Sequence, residues 1–136
     1  MGTTTKAPYD VLVLVGDLSL RRSLTERLGQ LGHAIDCRTS VLAALDRVRE
    51  KMPDLVVLDL DVDEGGGMPF LQILRRSQVT RFLPVLIVAD KTRSKAMQEA
   101  YDLGASGPLT AEACKDMEGW IFVAMSRYFR RSEAIA

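Results

Sequence analysis

Short apolar runs of the kind found in buried strands alternate with segments of helical periodicity along the whole sequence. The two clearest runs are Val11 to Val15 and Leu55 to Leu58, neither of which contains a polar residue. Uninterrupted runs that are rich in β-branched residues are typical of strands covered on both faces. Because such runs alternate with helices, the pattern predicts repeated βα units around a parallel sheet, which is an α/β fold.

Three further strands and five helices complete the predicted order of elements. The strands are predicted at His33 to Cys37, Val85 to Ala89 and Ala105 to Leu109. The helices are marked by Leu20, Leu24, Leu28 and Leu31, by Val41, Leu42, Leu45 and Val48, by Phe70, Leu71 and Leu74, by the segment Lys91 to Leu103, and by Met117, Trp120, Ile121, Ala124, Met125 and Tyr128. These elements predict one domain over residues 10–131, with an N-terminal extension over 1–9 and a C-terminal tail over 132–136.

Charge and composition exclude several classes of protein. The 18 basic residues balance the 18 acidic ones, so no overall field attracts nucleic acid or an anionic membrane. No apolar segment is long enough to cross a bilayer, and the first ten residues do not resemble a secretory signal. Cys37 and Cys114 form no CxxC pair that would indicate a zinc or redox site. We therefore expect a cytoplasmic protein that binds neither nucleic acid directly nor a membrane.

Two aspartates come directly after the predicted first and third strands. Asp17 closely follows the run that ends at Val15, and Asp59 follows the run that ends at Leu58. In an open parallel sheet the ligand crevice lies beyond the carboxyl ends of the strands, where the strand order reverses. Two carboxylates at that place predict a site for a cation.

The order of elements and three motifs closely resemble the receiver domain of bacterial response regulators. The motifs are Pro53 to Leu60, Leu83 to Val88, and Leu103 to Gly107. The resemblance implies a flavodoxin-like (CheY-like) fold, with a five-stranded parallel sheet in the order 2-1-3-4-5 and helices on both faces. It also implies that Asp59 accepts a phosphoryl group from a histidine kinase. By the same resemblance, Mg²⁺ is held by Asp17, Asp59 and the backbone carbonyl of Asp61.

The sequence departs from the family pattern at most of the other functional positions. Gly16 replaces the first acid after strand one, and Ala89 replaces the Ser or Thr at the end of strand four. Ala111 replaces the lysine after strand five, and Glu112 replaces the proline that follows it. Pro108 stands at the place of the aromatic switch residue. The site therefore lacks groups that would neutralise charge on a phosphoryl group.

These departures favour a degenerate receiver, or pseudo-receiver, which works through protein contacts and is not an enzyme. Its binding of Mg²⁺ is expected to be weak or absent. One alternative is a conventional receiver that a histidine kinase phosphorylates on Asp59 with Mg²⁺. A second alternative is a flavodoxin-like domain that binds a nucleotide or a flavin, although no glycine-rich loop follows strand one.

The last helix has more apolar residues than one buried face requires. Trp120, Phe122 and Val123 are therefore predicted to form a surface for a protein partner. The resemblance to receiver domains implies that the partner is a histidine kinase, another signalling protein, or a second copy bound through the face of helix 4, strand 5 and helix 5. Elsewhere, the run Gly65 to Gly67 is interpreted as a flexible loop, and His33 as a solvated surface residue.

Overall fold

The computed structural model describes residues 8–88, 94–109 and 116–135. The strands are β1 (Asp10–Leu14), β2 (Ala34–Arg38), β3 (Leu55–Asp59), β4 (Val85–Val88) and β5 (Ser106–Leu109). The helices are α1 (Leu18–Gln30), α2 (Val41–Glu50), α3 (Gly67–Arg76), α4 (Ser94–Asp102) and α5 (Met117–Ile135). One further helical turn, Val62–Gly65, precedes α3. Within these ranges no helix has the length and apolar character needed to span a membrane.

All strand pairs are parallel, and the sheet has the order β2-β1-β3-β4-β5. This order confirms the predicted flavodoxin-like fold. Leu14 pairs with Leu58 across β1 and β3, so these neighbouring strands end at the same edge of the sheet. The chain leaves β1 toward β2 on one side and later returns to β3 on the other. The crevice at this reversal of strand order is where the ligand of such a fold is expected.

Alternate residues of the central strands pack against two separate layers of helices. One core contains Leu12, Leu14, Val56 and Leu58 and is covered by α2, α3 and α4. The other contains Val11, Val13, Val15, Leu55 and Val57 and is covered by α1 and α5. Because successive side chains of a strand point to opposite faces, an unbroken apolar run fills both cores. The sheet is thereby held rigidly behind its carboxyl edge.

One residue of the predicted apolar face of helix α2 points away from the core. Leu42 was predicted on the apolar face but is 75% exposed. The inward face carries the other three predicted residues, Val41, Leu45 and Val48, together with Ala44 and the buried side chain of Arg47. Arg47 donates to the carboxylate of Asp10 on β1, which offsets the cost of burying its charge. Hydrophobic periodicity alone could not predict that Arg47, a charged residue, lies on the inward face of α2.

Strand β5 is irregular at the position of Pro108. Leu86 pairs with Ser106 and Val88 with Leu109, so β5 has one residue more than β4 between these pairs. Gly107 has a φ of 125°, and a Cβ atom there would lie 2.5 Å from the Ile87 carbonyl oxygen. The bulge thus requires glycine, and a proline is tolerated beside it on an edge strand.

The last helix extends beyond its predicted end. We predicted a separate tail over residues 132–136, whereas α5 continues to Ile135. No proline or glycine follows Gly119 to stop it, and the residues after 131 are compatible with a helix. The predicted N-terminal extension falls largely outside the described residues, which begin at Pro8.

Candidate functional site

Asp59 is the last residue of β3, and its side chain is half-buried at the carboxyl edge of the sheet. Its Oδ1 accepts a hydrogen bond of 2.9 Å from the backbone N–H of Asp61. The four residues before it, Leu55 to Leu58, are completely buried. The carboxylate is therefore presented by a strand that packing holds on both faces.

Asp17 is the N-cap of α1 and follows β1 at the same edge of the sheet. Its backbone is extended, and its Oδ1 accepts a 2.8 Å hydrogen bond from the N–H of Leu20. A carboxylate has about four lone-pair positions, so this cap uses only part of its capacity to bind a cation. Asp17 therefore follows β1 and Asp59 ends the adjacent strand β3, and each carboxylate accepts a hydrogen bond from a backbone N–H of its own segment.

The position of Gly16 has room for a side chain. A Cβ atom there would meet Val62 Cγ2 at 3.8 Å, which is an ordinary van der Waals distance. Beside it, Nη1 of Arg21 donates to the carbonyl oxygens of Val15 and Gly16 at 3.1 and 3.3 Å. The missing acid is thus not excluded by packing. Sequence reasoning missed Arg21, whose only signal is its place one helical turn after Asp17.

The segment after Asp59 is held by specific contacts. Asp63 and Glu64 have left-handed backbones with φ of 54° and 56°. The Oδ2 atom of Asp63 accepts a 3.1 Å hydrogen bond from the N–H of Val41 and so caps α2. Non-glycine residues adopt this conformation at a cost, and aspartate tolerates it better than most. The turn is therefore tied to the start of the neighbouring helix.

The glycine run was interpreted as a flexible loop, and this interpretation is wrong for two of its members. Gly67 is buried in the first turn of α3, and a Cβ atom there would lie 2.6 Å from the Asp59 carbonyl oxygen. A Cβ atom on Gly66 would lie 2.8 Å from Val41 Cγ2. Gly67 is needed because the start of α3 passes directly over the end of β3, and Gly66 because the chain there lies against the first residue of α2.

The oxygen-donor groups at this edge of the sheet are of the kind that binds a hard cation, but the predicted site has only three of them. Within residues 8–88, 94–109 and 116–135, no three His, Cys, Asp or Glu side chains form a metal-binding group. The donors of the predicted site are the carboxylates of Asp17 and Asp59 and the carbonyl of Asp61, which also accepts a 3.2 Å bond from the N–H of Gly65. Oxygen donors of this kind are those that Mg²⁺ prefers.

A family model described as the response regulator receiver domain matches residues 11–116. This chain belongs to that family. The match begins within β1 and ends at the residue before α5, so it includes all the strands and the first four helices. It favours a signalling receiver over the alternative of a nucleotide- or flavin-binding domain.

Two curated relatives of this receiver domain come from Pseudomonas aeruginosa. The two-component response regulator PhoP is 35% identical over 95 residues, which cover 70% of this chain and 41% of PhoP. The protein-glutamate methylesterase/protein-glutamine glutaminase 2 is 32% identical over 103 residues, which cover 72% of this chain and 28% of that enzyme. The receiver domain therefore spans less than half of the length of either relative.

A solved structure shows the same fold. The Mn(2+)-bound form of response regulator Rcp1 has a TM-score of 0.72 and 17% sequence identity, and the match covers 82% of this chain and 91% of Rcp1. At that identity the likeness concerns the fold alone. It agrees with the strand order observed here.

Some of the residues that depart from the receiver pattern lie within the described part of the chain and others do not. Ala89, Ala111 and Glu112 lie outside the described residues. Pro108 lies in β5 beside the bulge at Gly107. The structure therefore places Gly16 and the backbone of Pro108, and the remaining departures are known from the sequence.

His33 was interpreted as a solvated surface residue, and this interpretation is wrong. The side chain is half-buried, and its Nδ1 accepts a 3.0 Å hydrogen bond from the N–H of Tyr9. The two rings stack with their centroids 5.3 Å apart. Burial lowers the pKa of His33, and the charge of Glu118 opposes this effect. His33 therefore fastens the segment before β1 to the start of β2.

The predicted partner surface is exposed for two of its three residues. Phe122 is 61% exposed and Val123 is 44% exposed on α5. Trp120 is half-buried and packs against the core formed with α1. Among residues 117–126 of α5, whose side chains the structure describes, Phe122 and Val123 are therefore the large apolar residues that are exposed.

Proposed function

We propose that this receiver domain is degenerate and acts mainly by binding other proteins, with weak phosphorylation of Asp59 at most. The observation that carries this proposal is the set of residues that the sequence has at the functional positions of the family pattern. Gly16, Ala89 and Ala111 do not supply the first acid after strand one, the hydroxyl and the cation of the family pattern, respectively. The proposed partner is a histidine kinase or another signalling protein.

The physical reason is electrostatic. A carboxylate that attacks a phosphoryl group brings two negative groups together, so the transition state needs donors and cations already in place. Asp61 and Asp63 add acidic residues after Asp59, and both are exposed. Loss of one preorganised donor costs on the order of 3 kcal/mol of transition-state stabilisation, which is roughly a hundredfold in rate. This chain lacks two such groups, Ser or Thr at 89 and lysine at 111.

Asp17, Asp59 and the carbonyl of Asp61 are the residues that would hold Mg²⁺. The ion would supply positive charge to the developing phosphoryl transition state. The Mn(2+)-bound Rcp1 structure supports a divalent cation as the ligand of this fold. Arg21, fixed to the carbonyls of Val15 and Gly16, adds a positive charge near the end of β1.

Strand β5 also supports a protein-binding role that does not depend on the aromatic switch residue of the family. Pro108 stands where the family has an aromatic residue that changes rotamer. The hydroxyl of Tyr101 on α4 donates to the carbonyl of Gly107 in the bulge. A tyrosine from the neighbouring helix thus fastens this part of β5, so that we expect little relay of a change at Asp59 to this face.

Restoring the missing groups should restore phosphorylation. Incubation with acetyl phosphate and Mg²⁺ should leave the natural chain almost unlabelled, as measured by intact mass. The triple variant Gly16→Asp, Ala89→Thr, Ala111→Lys should react at least about a hundredfold faster, because it regains an acid, a donor and a cation. A Cβ atom at position 16 would be in ordinary van der Waals contact with Val62, so the new side chain can begin there without a clash.

The control for this experiment is the same triple variant with Asp59→Asn, which should remain unlabelled. Rapid and complete labelling of the natural chain would contradict the proposal and support the alternative of a conventional receiver. Binding of beryllofluoride with Mg²⁺, followed by NMR, provides the same comparison without hydrolysis.

The exposed part of α5 predicts self-association or partner binding. Phe122→Glu should weaken a homodimer measured by sedimentation equilibrium, because it places a charge within the apolar surface. It should leave thermal stability within about 0.5 kcal/mol, as expected for an exposed site. Leu42→Glu, an equally drastic change at an exposed residue of α2, is the matched control. Equal dimerisation of both variants and the natural chain would count against this face.

A further inference from the structure

A cleft of about 280 Å³ lies at the end of the sheet away from Asp59. It is formed by the last turn of α3, the segment that leads into β4, and the end of α4. Helices that connect parallel strands run back along the sheet, so their C-termini lie near the amino ends of the strands. The cleft is therefore separate from the acidic edge that carries Asp17 and Asp59.

The cleft is strongly basic in a chain whose charges balance overall. Its lining includes Arg75, Arg76 and Arg81 but a single acid, Asp102, which is a local excess of two positive charges. The C-termini of α3 and α4 carry partial negative charge and oppose an anion there. Arg75 offsets part of that effect because it donates to the carbonyl of Leu103 at the end of α4.

Arg75 also makes the cleft rigid. Its Nη1 atom donates to the carbonyl oxygens of Leu83 at 2.9 Å and Thr80 at 3.3 Å. Together with its bond to Leu103, these contacts join α3, the segment before β4 and the end of α4. A site whose walls are already connected loses little conformational entropy when a ligand binds.

The other two arginines are available to a ligand. Arg76 is exposed and makes no hydrogen bond or ion pair with any residue that the structure describes. The guanidinium of Arg81 lies 4.8 Å from the centre of the Phe82 ring. This stacking orients the guanidinium plane while its N–H groups remain able to donate.

We propose that this cleft binds phosphate oxyanions, carried either by free polyphosphate or by a nucleotide. Arginine forks match the geometry of phosphate oxygens, and such charge-assisted bonds are among the strongest hydrogen bonds in proteins. The volume admits a diphosphate but is small for a whole drug-sized ligand. The phosphate group is therefore the part of the ligand that the cleft recognises.

The test is an NMR titration of the intact ¹⁵N-labelled chain with sodium pyrophosphate and, separately, with ADP, both without Mg²⁺. Shifts should be concentrated at residues 76–82 and 102–103 and should weaken with added salt. Arg76→Gln and Arg81→Gln should each weaken binding about tenfold, since each removes a charge-assisted bond. Arg22→Gln, which removes the same charge from an exposed position on α1, should change the affinity less than twofold.

Each outcome decides the question independently of phosphorylation at Asp59. Tighter binding of ADP than of pyrophosphate would assign the cleft to nucleotides, and equal affinity would assign it to the phosphate group alone. The proposal is overturned by an absence of shifts at millimolar pyrophosphate. It is also overturned if Arg22→Gln weakens binding as much as Arg81→Gln, because the attraction would then be non-specific.

Discussion

Gly67→Ala is expected to destabilise the folded chain by about 3 kcal/mol, near the upper end of the range for overpacking. A Cβ atom at this position would lie 2.5 Å from Leu60 Cα and 2.6 Å from the Asp59 carbonyl oxygen. Both are backbone atoms, so neither can rotate away as a side chain could. Relief would require α3 to move away from the end of β3. Urea unfolding followed by circular dichroism measures the loss as a lower midpoint.

Two other Gly→Ala variants separate this steric effect from the effect of the substitution itself. Gly29 lies in α1, where a Cβ atom would meet Ile35 Cδ1 at 3.9 Å, so Gly29→Ala should stabilise the chain by about 0.5–1 kcal/mol. Gly65 has a φ of 90° in open space, and Gly65→Ala should cost roughly 1–2 kcal/mol from backbone strain alone. If Gly67→Ala were as mild as Gly65→Ala, the close approach of α3 to β3 would be disproved.

The glycine run also shows where sequence reasoning reaches its limit. The two-sided core could be predicted, because uninterrupted apolar runs such as Val11 to Val15 and Leu55 to Leu58 are typical of strands covered on both faces. The strand order followed from the resemblance to receiver domains. Sequence alone could not show which glycines were sterically required. Gly65, Gly66 and Gly67 are identical in sequence, yet their surroundings range from open space to backbone contact.

The same limit applies to the site. Asp17 and Asp59 could be placed at one edge because each follows a predicted strand, and β1 and β3 are neighbours. Arg21 and Asp63 could not be placed, since one depends on a long side chain that reaches back to β1 and the other on a left-handed backbone. Periodicity predicts which way a Cβ atom points, but it does not predict how far a polar side chain reaches.

Arg47→Ala is expected to cost about 2–3 kcal/mol of unfolding free energy. Loss of one partner of a fully buried pair costs about 3–5 kcal/mol, and the value is reduced here because the partners remain partly exposed. Arg47 is 8% exposed and donates to the carboxylates of Asp10 and Asp36 and to the carbonyl of Lys51. Arg49 lies on the same helix but is exposed, and its only ion pair that the structure describes is a long one of 3.8 Å to Asp46. Arg49→Ala should therefore lower the unfolding free energy by less than about 0.5 kcal/mol.

The pH dependence of the unfolding free energy lost in Arg47→Ala shows whether the loss comes from the paired carboxylates. A hydrogen bond from Arg38 lowers the pKa of Asp36; burial opposes this effect, and Arg47 adds to the lowering. A carboxyl whose pKa is lower in the folded state stabilises the fold above its unfolded pKa of about 3.9, and that contribution is lost as pH falls through the folded value. The difference between the natural chain and Arg47→Ala should therefore be constant from about pH 5 to 7 and shrink below about pH 4. Arg47→Met, which keeps much of the apolar stem, should follow the same pH profile. A difference that persisted unchanged to pH 3 would show that Arg47 acts by packing and not by pairing with the carboxylates.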